Sequence, residues 1–287
     1  MFSSKRIKVE ITIYDDKFET GRVLTFENLP VRAEIVKVGF PSTPKANIQI
    51  FGVSKDKMDT ITTVSWKTGF ISKKRIRLYT DEGSGYSLLF EGGIMYAAPV
   101  YKTAPNIYIQ IESSVVAYPN IKAVPPFKVK GEATIFSVIK GICEQYDMPC
   151  VNKGVEGVCS DPYFNQAGLS NRVKAACDAY GVVPRIKNNR VEVWPKGGFS
   201  TRKFTFNKLN YTGYPSFNAT GIIINCDTMI DIDVSDSFEI KDSEVTLAQD
   251  NWQCEKIVYS LQTLTNGGKW NMMLYGRRIS AFGGQNV

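Results

Sequence analysis

Apolar and polar residues alternate near the start of the chain: Ile7, Val9, Ile11 and Ile13 fall on one face, and Lys8, Glu10, Thr12 and Tyr14 on the other. Successive side chains of a strand point to opposite faces, so this is the pattern of a half-buried strand. The same period predicts strands at 23–26, at 31–35 and 46–50 on either side of Pro41 and Pro44, and at 74–79, 86–90, 93–97 and 107–111. The acidic, glycine-containing run at 81–85 reads as a hairpin loop. One interruption has helical spacing: Ser54 as N-cap, then Met58, Ile61 and either Val64 or Trp66, a short helix plugging the sheet. About seven short strands with turn signals between them suit a barrel or sandwich over residues 1–120.

In the centre the period lengthens to that of a helix. Pro119, Pro125 and Pro126 suit a stiff connector, after which Ile135, Val138, Ile139, Ile142 and Tyr146 share one helical face. Ser170 is placed to cap a second helix carrying Val173, Ala176, Cys177 and Tyr180, and Gly181 to end it in a left-handed turn. Two strands follow, at 182–186 and 190–194, around Lys187-Asn188-Asn189, whose asparagines tolerate positive φ. The hairpin needs the helices as its cover, which makes residues 121–199 an α+β domain with 130–197 as its body. Strand patterns then return at 203–206, 219–225, 229–234, 237–240, 256–262 and 270–277, with a loop at 243–253 and a loose tail at 283–287. The predicted fold class is therefore mainly β with an α+β middle, residues 200–287 forming a second β-domain.

Composition narrows the function more than the fold. With 43% hydrophobic and 12% aromatic residues the chain is that of an ordered protein, large enough at 287 residues to bury a core. No apolar run approaches the roughly 20 residues of a membrane span, and the first eight residues lack a signal-peptide core, so synthesis in the cytosol is expected. Cys143, Cys150, Cys159, Cys177, Cys226 and Cys254 include no C-x-x-C pair, which argues for reduced, mostly buried thiols over a zinc site. Histidine is absent altogether. That removes Ser-His and Cys-His nucleophile pairs, histidine bases and histidine metal sites together.

The remaining candidates are weak as chemistry. Asp231-Ile232-Asp233-Val234-Ser235-Asp236 begins like a calcium loop, but Asp236 stands where the loop needs glycine and Asp242 where it prefers a bidentate glutamate, so strand and hairpin turn is the expectation. Glu91, Glu112, Glu132 and Asp161 are conceivable partners for carboxylate catalysis, with no motif to pair them. The loop at 81–85 lacks the G-K-[ST] ending of a phosphate cradle. The net charge of +7, dense at 67–77 and 122–130, and the interleaved Trp66, Lys67 and 70–79 could serve nucleic acid. A strand pattern with one buried aromatic face explains the same residues. No residue is assigned a catalytic, cofactor-binding or metal-binding role, and no cofactor is expected.

Taken with this order of elements, Phe51-Gly52-Val53-Ser54, Phe90-Glu91-Gly92-Gly93-Ile94, the first helix through Cys143, Tyr146 and Met148, the second ending in Tyr180-Gly181, and the hairpin through Val191, Val193, Trp194, Pro195 and Gly197 resemble the phage baseplate (tail) hub family. That family includes the late control protein D group and the hub domain of type VI secretion spike proteins. The likeness is spread over about 5–278; Phe51 to Ser54 is similar to its strand-to-helix step and Phe90 to Ile94 to its aromatic-x-Gly turn between strands. The resemblance implies two similar β-barrel domains flanking the helix-helix-hairpin domain. It further implies a homotrimer adapting a six-fold tail tube to a three-fold spike or tail tip, with the tape measure protein as a further partner and DNA met only in the lumen. No enzyme activity and no membrane insertion are implied, and the place is the virion tail baseplate, assembled in the host cytoplasm. The chain stops near the second β-domain, so piercing and wall digestion are expected of other proteins. The residues themselves keep two alternatives open, a carboxylate-based cell-wall hydrolase of the tail tip and a basic nucleic-acid-binding β-barrel protein.

Overall fold

The computed structural model describes residues 5–14, 21–63, 73–198, 200–264 and 268–279. Its first region is antiparallel β: β1 Arg6–Tyr14, β2 Gly21–Glu27, β3 Val31–Val38, β4 Lys45–Phe51, β5 Lys74–Asp81, β6 Ser87–Val100 and β7 Tyr108–Ser114. The predicted alternation holds where it is described, with Ile7, Val9 and Ile11 of β1, Ile35 of β3 and Ile48 and Ile50 of β4 all in the core. The short helix α1 Lys55–Ile61 buries Met58 and Ile61, while Ser54 precedes it without a side-chain capping bond. Val64 and Trp66 lie outside the described residues. At the other end of α1 the ammonium of buried Lys74 donates to the carbonyls of Thr60, Ile61 and Thr62 at 2.8–2.9 Å. These are the orphan carbonyls of a helix C-terminus, where a cation is favoured.

The strands expected at 86–90 and 93–97 are one strand, β6, and no turn separates them at Phe90 to Ile94. The glycines there serve close packing. A Cβ on Gly93 would meet the Tyr118 ring at 2.7 Å, and one on Gly92 the Ser114 carbonyl oxygen at 2.9 Å. The Tyr118 hydroxyl accepts from the Lys74 amide at 2.6 Å and donates to the Lys74 carbonyl at 2.8 Å, so this ring is pinned where the missing side chains make room.

The middle region holds α2 Ala117–Ile121, β8 Phe127–Lys128, β9 Glu132–Thr134, α3 Ile135–Gln145, β10 Cys150–Asn152, β11 Val158–Ser160, β12 Tyr163–Phe164, α4 Leu169–Tyr180, β13 Val182–Lys187 and β14 Arg190–Pro195. Val138, Ile139, Ile142 and Cys143 of α3 are buried, and Thr134 caps that helix by accepting from the Ser137 amide at 3.1 Å. Two expectations fail around α2. Pro119 is not in a plain connector but in the first turn of this helix, where its missing N–H costs nothing. Ser170 does not cap α4; its own amide donates to the Asn120 side chain at 2.9 Å, so the cap comes from α2. Gly168 makes that approach possible, since it has φ +78 and a Cβ there would lie 2.8 Å from the Asn120 carbonyl oxygen. Gly181 ends α4 in the left-handed region as expected, at φ 64. Buried Arg172 then ties α4 to the remaining connector, donating to the carbonyls of Gln166 and Pro125 and to the Gln145 side chain, each at 2.8 Å.

The last region comprises β15 Lys203–Phe206, β16 Thr212–Phe217, β17 Gly221–Cys226, β18 Ser237–Ile240, β19 Asn251–Gln262 and β20 Trp270–Arg278, with a 3-10 turn at Thr246–Ala248. β16 had no strand expectation, and residues 229–234, expected as a strand, are an extended loop. The expected loop at 243–253 gives way to β19 at Asn251, and the tail at 283–287 lies outside the described residues.

Among the described residues no closed barrel is found in either β region. β19 pairs antiparallel with β3, from Lys256 opposite Val38 to Gln262 opposite Arg32, and so joins both regions into one 13-stranded sheet. Its main path runs β16-β17-β20-β19-β3-β4-β7-β6-β5-β1-β2, and among the described residues no ladder closes it. The register matches buried with buried: Ile35 faces Tyr259 and Ala33 faces Leu261. A one-residue slip would turn every one of these side chains to the wrong face, which specifies the join strongly.

Candidate functional site

The three regions meet at the tip of the β13–β14 hairpin. Lys187 and Arg190 flank the two-residue turn Asn188-Asn189, and Asn189 takes φ 52, which asparagine tolerates better than most residues. One side of the tip faces β5 and β6: the Asn188 side-chain oxygen accepts from the Glu91 amide at 3.4 Å, and that of Asn189 from the Arg75 guanidinium at 3.3 Å. The other side faces the loop before β18. There the Lys187 ammonium lies 3.1 Å from the Asp233 carboxylate and 3.6 Å from that of Glu192. Arg190 pairs with the same Glu192 at 2.9 Å.

Beneath the turn, Arg185 stacks on Trp194 with its guanidinium 4.3 Å from the ring centroid and donates to the Gly198 carbonyl at 2.7 Å. Burial pulls this guanidinium down from its ordinary pKa, with Glu192 and Asp236 acting against that pull. Asp233 shows the opposite balance. Burial opposes its ionisation, but Lys37, Lys187 and the Val234 amide together outweigh it and hold the carboxyl below its ordinary range. A cleft of about 130 Å³ lies on this side, lined by Lys37, Arg185, Lys187, Arg190 and Asp233 among others, and a second of about 110 Å³ lies on the β5–β6 side. Charged side chains buried in this way are stable only when paired and hydrogen-bonded, so the hairpin tip is specified by its partners.

The acidic run that resembles a calcium loop supplies cation partners instead. Asp231 pairs with Arg202 at 2.9 Å, Asp233 with Lys187, and Asp236 lies 3.7 Å from Arg202 while accepting from the Asp233 amide at 2.9 Å. Glu239, just beyond, accepts from Lys203 and Lys241, which with Thr205 bring its carboxyl down to about 2. The expected turn is present, with the Asp236 amide donating to the Asp233 carbonyl at 3.0 Å, but the strand expected before it is a loop, because the run pairs by side chain and not by ladder. Among the described residues no group of three or more potential metal ligands comes together.

Of the four carboxylates considered for catalysis, only Glu132 and Asp161 come near one another. Glu91 is buried between Arg75 and Arg77, each at 3.2 Å. Glu112 lies opposite Asn47 on β7, and Glu132 and Asp161 lie close together at the exposed β9–β11 ladder, where Asp161 accepts from the Gly131 amide at 2.8 Å. The loop at 81–85 turns its amides onto its own acid: those of Gly83 and Gly85 donate to Asp81 at 2.7 and 2.9 Å. A phosphate would find those donors already used.

The interleaved stretch at 74–79 does not have a buried aromatic face. Its buried side chains are Lys74, Ile76 and Leu78, while Tyr79 lies on the outer face with the Lys8 ammonium 4.5 Å from its ring centroid and its hydroxyl donating to Glu10 at 3.0 Å. Trp66, Lys67 and Phe70 lie outside the described residues. The cysteines are free thiols; Cys143, Cys177, Cys226 and Cys254 are buried and Cys150 and Cys159 partly so. Burial pushes Cys177 and Cys226 up to about 12, which leaves them unreactive as nucleophiles. Among the described residues no helix is long and apolar enough to cross a membrane.

Sequence reasoning did not single out Lys37, Arg185, Lys187 or Arg190. The only signal was a turn flanked by basic residues, and a sheet of solvated lysines gives the same pattern.

No family model matches the chain, and no curated protein matches it in sequence. Solved structures do. A tail protein from Neisseria meningitidis superposes with a TM-score of 0.63 at 8% identity, covering 96% of this chain and 97% of that one. A prophage tail protein from Shewanella oneidensis gives 0.64 at 8% identity, over 95% and 98%. A component of the E. coli type VI secretion system, described as structurally similar to bacteriophage tail proteins, gives 0.62 at 8% identity, over 88% of this chain and 74% of that one. The fold of this chain is therefore that of phage tail proteins and of a type VI secretion component.

Proposed function

We propose that this chain, with the fold of phage tail proteins as its premise, is a non-enzymatic structural hub of the tail baseplate. The observation that carries the reading is the extent of the likeness: tail proteins match over 95–96% of this chain and 97–98% of their own. Three copies would form a ring, each contributing one β unit from 1–120 and one from 200–287. Six quasi-equivalent units then meet a six-fold tail tube on one side, and three-fold symmetry meets a spike or tip on the other. Residues 121–199 act as the bracket whose tip holds both units. The tape measure protein is a further partner, DNA is met only in the lumen, and the protein resides in the virion tail after assembly in the host cytoplasm.

An interface of this kind is symmetric and concentration-dependent. Native mass measurement of the full chain, alone and with the spike protein of the same particle, is expected to give a trimer. A monomer in every mixture would overturn the hub. A peptidoglycan-degradation assay on the same preparation is expected to show no activity, since the structure brings no two candidate carboxylates together in an enclosed site.

A further inference from the structure

The cleft beside the hairpin tip has a charge imbalance that the ion pairs described above leave standing. Four cations line it, Lys37, Arg185, Lys187 and Arg190, against one acid, Asp233. Glu192 answers Arg190 and part of Lys187 from behind. Lys37 is the telling residue. Its ammonium lies 5.3 Å from the Tyr259 ring centroid and near enough to Asp233 to feel its charge, yet among the described residues no acceptor stands within hydrogen-bond reach of it. An ammonium carries three donors, and those of half-buried Lys37 are left to whatever occupies the cleft.

We infer that this cleft is a binding site for a small oxyanion of the phosphate class, held by Lys37 together with Arg185, Lys187 and Arg190. The volume of about 130 Å³ admits a few water molecules or one such ion, and planar guanidinium forks and point-charge ammoniums are the groups that bind tetrahedral oxyanions. The position gives the ion a consequence. Lys37 belongs to β3 and Arg185, Lys187 and Arg190 to the hairpin, so a bound anion bridges the first and middle parts of the chain, in competition with Asp233 of the last. Ligand that binds only the folded chain stabilises it by mass action.

The inference is independent of the hub reading. Calorimetric titration of the full chain with inorganic phosphate, ionic strength held constant with chloride, is expected to show one saturable site. Lys37→Met keeps the length of the side chain and removes its charge, and is expected to weaken binding by about tenfold or more. Asp233→Asn removes the competing carboxylate and is expected to tighten binding, an outcome that general loosening of the junction does not produce. Absence of saturable binding to the unaltered chain, or Lys37→Met binding as tightly as it, overturns the site. Should Lys37→Met fail to fold, weaker or unchanged binding by Asp233→Asn overturns it equally.

Discussion

Two of the joints between the last region and the rest of the chain work by different physics. The β3–β19 seam is a ladder of in-register strands with Ile35, Ile257, Tyr259 and Leu261 buried along it. The hairpin tip is polar: Asn188, Asn189, Lys187 and Glu192 meet amides, a guanidinium and carboxylates. Apolar burial is non-directional and nearly indifferent to salt and pH, whereas paired charges are directional and sensitive to both. The seam therefore supplies strength, and the tip supplies the angle at which the middle region sits. A chain that needed only cohesion would not bury Glu192 and Arg185 where hydrophobic residues would serve.

That contrast can be broken most forcefully at the seam. Ile257→Ala deletes a fully buried side chain on β19 and is expected to cost about 2–5 kcal/mol, read from urea unfolding. The loss should be the same in low and high salt; a strongly salt-dependent loss would mean that the seam is not the apolar joint.

A smaller effect is expected from acid. Asp233 titrates below its ordinary 3.8 in the folded chain, so its contribution is present above that value and is lost as pH falls through the depressed folded value. At Lys37 the balance is the other way, its ammonium disfavoured by burial and favoured, to a lesser extent, by Asp233 and Asp231. Hydrogen exchange below about pH 4 should accordingly expose the amides at 188–190 before those of β19. Simultaneous loss of both would show that the tip and the seam open as one unit.

The smallest effect sharpens the comparison. Asn189→Gly keeps the left-handed turn and removes only the contact to Arg75, for an expected loss of about 1 kcal/mol or less by thermal unfolding. A loss as large as that of Ile257→Ala would make the tip a principal source of stability.

Much of the fold was legible because it is local. The alternation of β1, β3 and β4, the apolar stripe of α3, the left-handed Gly181 and the turn at Asn189 each depend on neighbours within a few residues. The misreadings share the opposite property. Gly92 and Gly93 look like a turn until Ser114 is seen packed against the first and Tyr118 against the second, and Ser170 looks like a cap until Asn120 arrives from α2. Residues 229–234 alternate as a strand does, yet their acids are taken by Arg202 and Lys187 and the segment pairs with no ladder.

By itself, then, the sequence determined a mainly β chain with an α+β middle, ruled out histidine chemistry, and placed the hairpin as a closed local unit. Only the tertiary structure decided that the two β regions share one sheet, and that the hairpin tip is the point where three regions exchange charges. The reason is distance along the chain. Val31 donates to the Thr263 hydroxyl across 232 residues, and no local period records which of many alternating strands will lie beside which. Residues 130–197 likewise show in sequence only a helix-helix-hairpin; what they join is written in Glu91, Arg75, Lys37 and Asp233, none of which belongs to them.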